Sequence, residues 1–375
     1  MEKIYTSLGL MSGTSMDGVD ASIIRSNGEE QYESIFDEYF EYDEDLYKDL
    51  VSLRNKISSA KDIIINSKLI SDVERKITLF HGKICNKIIQ ENTNEIDLVG
   101  FHGQTIFHEA NQKISKQLGD GSLLSSLLKK RVIYNFRAND IINGGQGAPL
   151  APIFHNLLIN NVQIKLPVYV VNIGGIANIT IITSNKNEDL KSYDIGPGNC
   201  LLDEWVRKHT NDKYDDNGKA AGVGKIDEII LNQALENFDN IKLSSNLSFD
   251  VKDFNLNFVR GLSYEDGLST LTKFTSEIIY QSISKAIKIN QNEKIKILIC
   301  GGGRKNLTLV ENIKKKLSNN ITLNLIDDYN INGDFVESQA FAYIAIRSLL
   351  KKTISFTNTT NVKKSCTGGI LVKNY

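Results

Sequence analysis

Net charge is almost absent from this chain of 375 residues: 44 lysines and arginines stand against 45 aspartates and glutamates, a formal balance of −1. Nucleic acid and anionic membrane surfaces select clustered positive charge, so neither is expected as a partner. The runs Lys314–Lys316 and Lys363–Lys364 are short and read as solvated faces. Long apolar runs are absent as well, and none approaches the roughly 20 residues that cross a bilayer. The N-terminus enters an apolar segment at Ile4 with no basic-plus-apolar signal ahead of it, which makes a soluble, cytoplasmic protein the expectation. Cysteine is scarce: Cys85, Cys200, Cys300 and Cys366 are scattered without a Cys-x-x-Cys pair, as suits reduced packing thiols. His81, His108, His155 and His209 show no metal-ligand spacing, and no metal ligand is assigned.

What is present is ordinary in bulk, 41% hydrophobic and 24% charged, and long enough for two domains with ample cores. One stretch stands out near the start: Gly9-Leu10-Met11-Ser12-Gly13-Thr14-Ser15-Met16-Asp17-Gly18-Val19-Asp20. An apolar run precedes it, and Val19, Ala21 and Ile23 alternate with Asp20 and Ser22 after it, the pattern of strand, polar turn and strand. Its glycines and hydroxyl residues let backbone and side-chain donors approach an anion. Asp17 would repel a bare phosphate but suits a magnesium ion beside one. Gly13, Thr14, Ser15, Met16, Asp17, Gly18, Val19 and Asp20 thus form a candidate triphosphate clamp. It is not a P-loop, since no Gly-Lys-Ser/Thr follows and a strand comes next. A turn of this composition can equally be no more than a turn.

Further along, Glu44–Ser59 reads as a helix, and apolar residues from Ile70 to Ile88 repeat at spacings of three and four, a long amphipathic helix. Ile96–Phe101 reads as a buried strand that runs out into the polar cluster His102-Gly103-Gln104-Thr105, the position where α/β sheets place ligand-facing residues. A helix over Leu123–Lys130 and a strand over Arg131–Phe136 lead to Arg137, Asp140 and the run Gly144-Gly145-Gln146-Gly147-Ala148-Pro149, a candidate hinge. The second half repeats the plan. Pro167–Val171 is a strand, Asn172-Ile173-Gly174-Gly175 a turn, and Ile176–Ile182 an alternating return strand. A third strand ends in Asp194-Ile195-Gly196-Pro197-Gly198-Asn199, and a helix follows over Leu201–Lys208. Another long helix spans Leu268–Ile287. The strand Ile295–Cys300 then opens on Gly301-Gly302-Gly303 before a helix through Leu317, and a helix over Glu337–Leu350 precedes a closing strand near Ile370.

Two halves that each begin with a glycine hairpin point to the duplicated α/β fold of the actin, hexokinase and heat-shock-70 group. ATP there lies in a cleft between two lobes. The expected division is 1–145 plus 351–375 against 146–350.

The motifs together resemble one family, the anhydro-N-acetylmuramic acid kinases. The matching residues are the Gly9–Asp20 stretch, Phe101–Thr105, Gln117–Gly121, Phe136-Arg137 with Asp140, Gly144–Leu150, Asn172–Asn178, Asp194–Asn199, Gly301–Gly303 with Asn306, and Glu337. Asn135 and Ser338 depart from the family pattern, which has aspartate and alanine there, and Asn240–Ser263 matches no block. The resemblance implies hydrolytic opening of the 1,6-anhydro bridge of 1,6-anhydro-N-acetylmuramic acid and phosphorylation of O6 from ATP, in peptidoglycan recycling. It implies Asp140 as the general base toward water. It also implies Gly13–Asp20 and Asn172, Gly174 and Gly175 around the phosphates, and Gly301, Gly302 and Gly303 under the adenosine. His102, Gln104, Arg137 and Glu337 would face the sugar. Asp17 and Asp194 are candidates for Mg2+ through water, and each can equally be a turn aspartate. A homodimer is implied as well. Two other readings stay open: an ATP-gated assembly protein, which needs no sugar-site carboxylate, and a kinase of an unbridged sugar.

Overall fold

The computed structural model describes residues 3–244, 248–287 and 294–375. Three positions of the Asn240–Ser263 stretch, 245–247, lie outside the described residues. In chain order the strands are β1 (Tyr5–Ser12), β2 (Gly18–Ser26), β3 (Tyr32–Glu41), β4 (Leu98–Glu109), β5 (Ile114–Leu118), β6 (Arg131–Tyr134), β7 (Val168–Ile173), β8 (Ile176–Ile182), β9 (Lys191–Pro197), β10 (Ile295–Cys300), β11 (Ile321–Leu325) and β12 (Ile370–Val372). They form two sheets, one in each of two compact units. The first unit holds Met1–Ile164, Asn185–Lys191 and Asp334–Tyr375; the second holds Lys165–Ser184 and Ser192–Gly333.

In the first unit the strand order is β12-β6-β4-β1-β2-β3, with β5 attached to β4. The expected opening hairpin is present: β1 and β2 pair antiparallel from Tyr5↔Ser26 to Met11↔Asp20. β4 then joins β1 in parallel, and β6 joins β4 in parallel. In the second unit the order is β9-β8-β7-β10-β11, with β7 and β8 antiparallel and β7, β10 and β11 parallel. Read from the same end, β3-β2-β1-β4-β6 and β9-β8-β7-β10-β11 are one plan used twice. The duplicated α/β fold rests on that match.

Alternation along β1 sorts its side chains onto two faces. Leu8 and Leu10 are fully buried in a core shared with Leu50 and Leu53 of the helix Glu44–Lys56 and with Val73, Ile77 and Ile84 of the helix Ser67–Glu91. Gly9, between them, faces the helix Val336–Leu349. A Cβ on Gly9 would stand 2.0 Å from the Ser338 carbonyl oxygen, and one on Gly100 of β4 would stand 2.4 Å from that of Phe341. Gly9 and Gly100 are paired in the β1–β4 register, so the helix lies directly across two adjacent strands.

Two sequence expectations are corrected here. The His102–Thr105 cluster does not lie past a strand end: β4 continues through it to Glu109, because β5 pairs with it at Gln104↔Leu118 and Thr105↔Gln117. The Gly144–Gly147 run expected as a hinge lies within the first unit, wound against Asp140 and the C-terminal segment. Gly144 and Gly147 have φ of 90° and 78°, which glycine adopts without strain. The strands β3, β5 and β11 and the helix Glu228–Ser244 carry no clear period in the sequence and appear only in the structure.

Gly9→Ala is expected to destabilise the protein by at least about 2 kcal/mol, since the added methyl meets backbone rather than a movable side chain. Urea unfolding monitored by circular dichroism measures it, and an unchanged midpoint would contradict this packing.

Candidate active site

The first hairpin loop, between Ser12 and Gly18, is held by its carbonyl groups. Gln104 Nε2 donates to the Gly13 oxygen at 2.9 Å, Arg54 to the Thr14 oxygen at 2.8 Å, and the Tyr42 amide to the Asp17 oxygen at 2.9 Å. The Met16 amide closes a turn on Gly13 at 3.2 Å, and the Met16 side chain is buried although its φ is +60°. Thr14 and Ser15, at the tip of the loop, are exposed. Ser15 Oγ donates to Asp17 Oδ1 at 2.6 Å. Beneath the loop, His81 Nδ1 donates to the Ile77 carbonyl at 2.7 Å, leaving Nε2 as an acceptor 3.3 Å from Ser12 Oγ. Ser12 Oγ is also 2.8 Å from the Tyr42 hydroxyl.

Asp140 sits in the short helix Ala138–Ile142 and is fully buried. Its Oδ1 accepts the Gly147 amide at 2.6 Å and its Oδ2 the Thr360 hydroxyl at 2.5 Å. A Cβ at Gly145 would stand 2.1 Å from Oδ1, so glycine there is what leaves room for the carboxylate. Burial pushes the Asp140 carboxyl above its usual range, against the lowering effects of Thr360, the Gly147 amide and the Arg137 charge. A carboxylate shifted that way becomes a better proton acceptor.

Arg137 begins the same helix. Its guanidinium donates to the Gly147 carbonyl at 2.9 Å and to His102 Nε2 at 3.0 Å. His102 in turn donates from Nδ1 to the Gly103 carbonyl at 2.8 Å, so its tautomer is set and the ring is neutral. Burial and then the Arg137 charge push it down to about 3. The structure thus brings Arg137, His102 and Asp140 around the Gly147 turn, while Gln104 braces the hairpin loop. Gln104 Oε1 is buried with no protein partner. Glu337 is half-buried in the first turn of the helix that crosses Gly9 and Gly100. The two departures from the family pattern have local roles. Asn135 takes φ of +55°, which asparagine tolerates. Ser338 Oγ lies 2.7 Å from Ser22 Oγ and donates to the Phe335 carbonyl at 3.0 Å.

In the second unit the Asn172–Gly175 turn, Gly198-Asn199 just after β9 and the Gly301–Gly303 loop pack together. The Gly198 amide donates to the Gly175 oxygen at 2.9 Å and the Asn199 amide to the Gly174 oxygen at 2.7 Å. A Cβ on Gly301 would stand 2.3 Å from Asn172 Oδ1, and one on Gly303 would stand 2.3 Å from the Ile173 side chain. Arg304, buried, holds this loop through a two-pronged pair with Asp327 at 2.7 and 3.0 Å and a bond to the Gly301 oxygen at 3.2 Å. Asp194, considered above for magnesium, accepts the Phe249 amide at 2.9 Å through Oδ2.

The glycines divide by what a side chain would meet. Gly18, Gly301 and Gly303 are required by packing, whereas Gly13, Gly174 and Gly302 face nearly open space, with no neighbour nearer than 3.5 Å. Open glycines in turns rich in amide donors fit close approach by phosphate or nucleotide. Among the described residues no group of three or more His, Cys, Asp or Glu side chains is gathered for a metal ion.

A family model described as anhydro-N-acetylmuramic acid kinase matches residues 5–374. The chain belongs to the anhydro-N-acetylmuramic acid kinase family. A relative bearing that name from Pelagibacter ubique (strain HTCC1062) is 68% identical over the full length of both chains. Another from Zymomonas mobilis is 36% identical, covering 96% of this chain and 98% of its own. One from Agrobacterium fabrum is 34% identical over the full length of both. Among solved structures, an activator of the 2-hydroxyisocaproyl-CoA dehydratase from Clostridium difficile with bound ADPNP is similar at a TM-score of 0.42 and 13% identity, over 91% of this chain and 94% of that one. The protein is therefore an enzyme of a kinase family, and the resemblance in its motifs holds across the whole chain. Among the described residues no helix is long and apolar enough to cross a membrane.

Sequence reasoning passed over Thr360, Tyr42, Arg54, Arg304 and Asp327. Arg304 closes the Gly301–Gly303 motif but was given no role, and the other four lie outside the glycine-rich motifs and act through partners separated from them in sequence.

The buried histidines carry a pH prediction. His81 and His155 are pushed down to about 4 and His102 to about 3, each chiefly by burial. Unfolded, each takes a proton near pH 6.5, so the unfolded state gains protons that the folded state refuses. The melting temperature should hold above pH 7 and fall as pH drops from 6.5 toward 4. A flat scanning-calorimetry profile over that interval would contradict neutral burial.

Proposed function

We propose that the enzyme opens the 1,6-anhydro bridge of 1,6-anhydro-N-acetylmuramic acid with water and transfers the γ-phosphoryl group of ATP to O6, giving N-acetylmuramic acid 6-phosphate. This would serve peptidoglycan recycling in the cytoplasm. The observation that carries the reading is Asp140: a fully buried carboxylate, raised by burial and fixed by two donors, in a chain that matches its family from end to end. Asp140 accepts a proton from the water that attacks C1 of the sugar. The C1–O6 bond breaks, O6 attacks the γ-phosphorus, and the bond from phosphorus to the β,γ-bridging oxygen breaks to release ADP. The leaving oxygen is itself the phosphoryl acceptor, so no separate acid is needed.

Arg137 is assigned to the lactyl carboxylate of the sugar, with His102, Gln104 and Glu337 on its hydroxyl and amide groups. The amide groups of Gly13–Asp20 and of Asn172, Gly174 and Gly175 hold phosphate, and Gly301–Gly303 carries the adenosine. Mg2+ would neutralise phosphate charge as phosphoryl transfer proceeds. Asp17, half-buried at the loop, suits it through bound water, whereas the Asp194 carboxylate already holds the Phe249 amide. A homodimer is part of the reading.

Incubation with ATP, magnesium and 1,6-anhydro-N-acetylmuramic acid should yield a product heavier by one water and one phosphoryl group in mass spectrometry. Phosphate without water would favour an ordinary sugar kinase, and no product would favour an ATP-gated assembly protein. Asp140→Asn is expected to lower kcat by about 1,000-fold with ATP affinity unchanged by calorimetry. Turnover near the unsubstituted level would remove Asp140 as the base.

A further inference from the structure

The reading above gives Asp140 two ionisation states during turnover. The Ser355 hydroxyl also favours its charged form, and the two groups bonded directly to its oxygens, Gly147 and Thr360, differ in what they can serve. The Gly147 amide can only donate, so it serves Oδ1 in either state and cannot receive the new proton of Oδ2. The Thr360 hydroxyl can donate or accept. It lies at the end of the short helix Thr357–Thr360, fully buried, 2.5 Å from Asp140 Oδ2 and 3.5 Å from the Phe356 carbonyl oxygen. Its place is set by backbone: the Thr360 amide donates to the Phe356 oxygen at 3.1 Å, and the Thr360 oxygen accepts the Gln146 amide at 2.7 Å. Gln146 lies between Gly145, whose missing side chain makes room for the carboxylate, and Gly147, which donates to it.

We propose that Thr360 is a positioning residue for Asp140, donating to Oδ2 while the carboxylate is charged and turning to accept from it once the proton has arrived. This rests on Asp140 as the base. The proton moves from the attacking water to Asp140, and no other bond to hydrogen is broken. The Thr360 hydrogen swings from Oδ2 toward the Phe356 oxygen, and the new carboxyl O–H points at Thr360 Oγ1. The charged and titratable groups facing Asp140 are the Arg137 guanidinium on its own helix and, from the C-terminal segment, the Cys366 thiol, which feels the Asp140 charge. The Lys363 stem lies over Gly144. None of these replaces a partner that can reverse its role at Oδ2.

The test is the pH dependence of kcat and KM for ATP in Thr360→Val and Thr360→Ser. The bond to the charged carboxylate is stronger than the one accepted from the neutral carboxyl, so losing both raises the carboxyl pKa, and in Thr360→Val the acidic limb of the kcat profile should move up by about one pH unit. Its kcat should fall about tenfold, with KM for ATP within about twofold. Thr360→Ser, which keeps the hydroxyl, should stay within about twofold of the unsubstituted enzyme with its limb in place. An unmoved limb in Thr360→Val, or equal losses in both variants, overturns the proposal. Should Thr360→Val fail to fold, Thr360→Ser decides: an unmoved limb with near-normal kcat supports the proposal, and a shifted limb or a large loss overturns it. Asp140→Asn reports separately on the base. If that variant still turns over, the 13C shift of the Asp140 carboxyl in Thr360→Val against the unsubstituted protein reads the contact directly, and identical titrations overturn it.

Discussion

The contact on which the first unit depends is backbone against backbone: the helix Val336–Leu349 lying on Gly9 of β1 and Gly100 of β4. With no side chain at either position, the Ser338 and Phe341 carbonyls come to where a Cβ would otherwise stand, at 2.0 and 2.4 Å. Because Gly9 and Gly100 share one register, a single straight helix fits both. The consequences reach every part of the site in this unit. Phe341 sets its ring 4.4 Å from that of His102 in β4 and 5.4 Å from that of Phe136, which leads into Arg137 and Asp140. Ser338 reaches Ser22 of β2, and Glu337 is carried in the first turn. One helix thus lies across the strands that lead into the loop and carry the histidine, and its Phe341 ring meets the Phe136 ring just before the carboxylate's helix.

Burial of charge is the second constraint, and the two units handle it differently. Asp140 is buried with donors that favour its ionised form, yet burial prevails and raises it. Arg304 and Asp327 are a complementary pair. There the guanidinium holds Asp327 below the usual carboxylate range despite partial burial, and the pair serves to fasten a glycine loop. The first arrangement leaves a carboxylate ready to take a proton; the second leaves a rigid fork with no reason to titrate near neutrality. His102 stays neutral for the same reason that Asp140 rises, since burial penalises whichever form carries charge.

Much of the architecture was legible in residue patterns. Alternation from Val19 to Ile23 and from Ile176 to Ile182 marked β2 and β8, and the three- and four-residue spacing from Ile70 to Ile88 marked a helix that the structure extends to Ser67–Glu91. Half-exposed strands such as β3, with Glu33, Asp37 and Glu41 among its residues, gave no comparable signal, because their fitness for a strand comes from the neighbour they pair with. The Gly144–Gly147 run misled for a related reason. Glycine marks either freedom or close approach, and only the carboxylate of Asp140 against Gly145 shows that close approach is the reason here.

By itself the sequence determined the strand–turn–strand repeat, the glycine turns and a motif set specific enough to name the family, since those features are local and written in consecutive residues. Only the tertiary structure decided which glycines are needed for packing and which are open, that His102 is a neutral acceptor for Arg137, and that Thr360 closes on Asp140 from 220 positions along the chain. Contacts of that separation leave no period or spacing to read. They exist because two strand plans, each assembled from distant segments, bring the ends of those segments to common points.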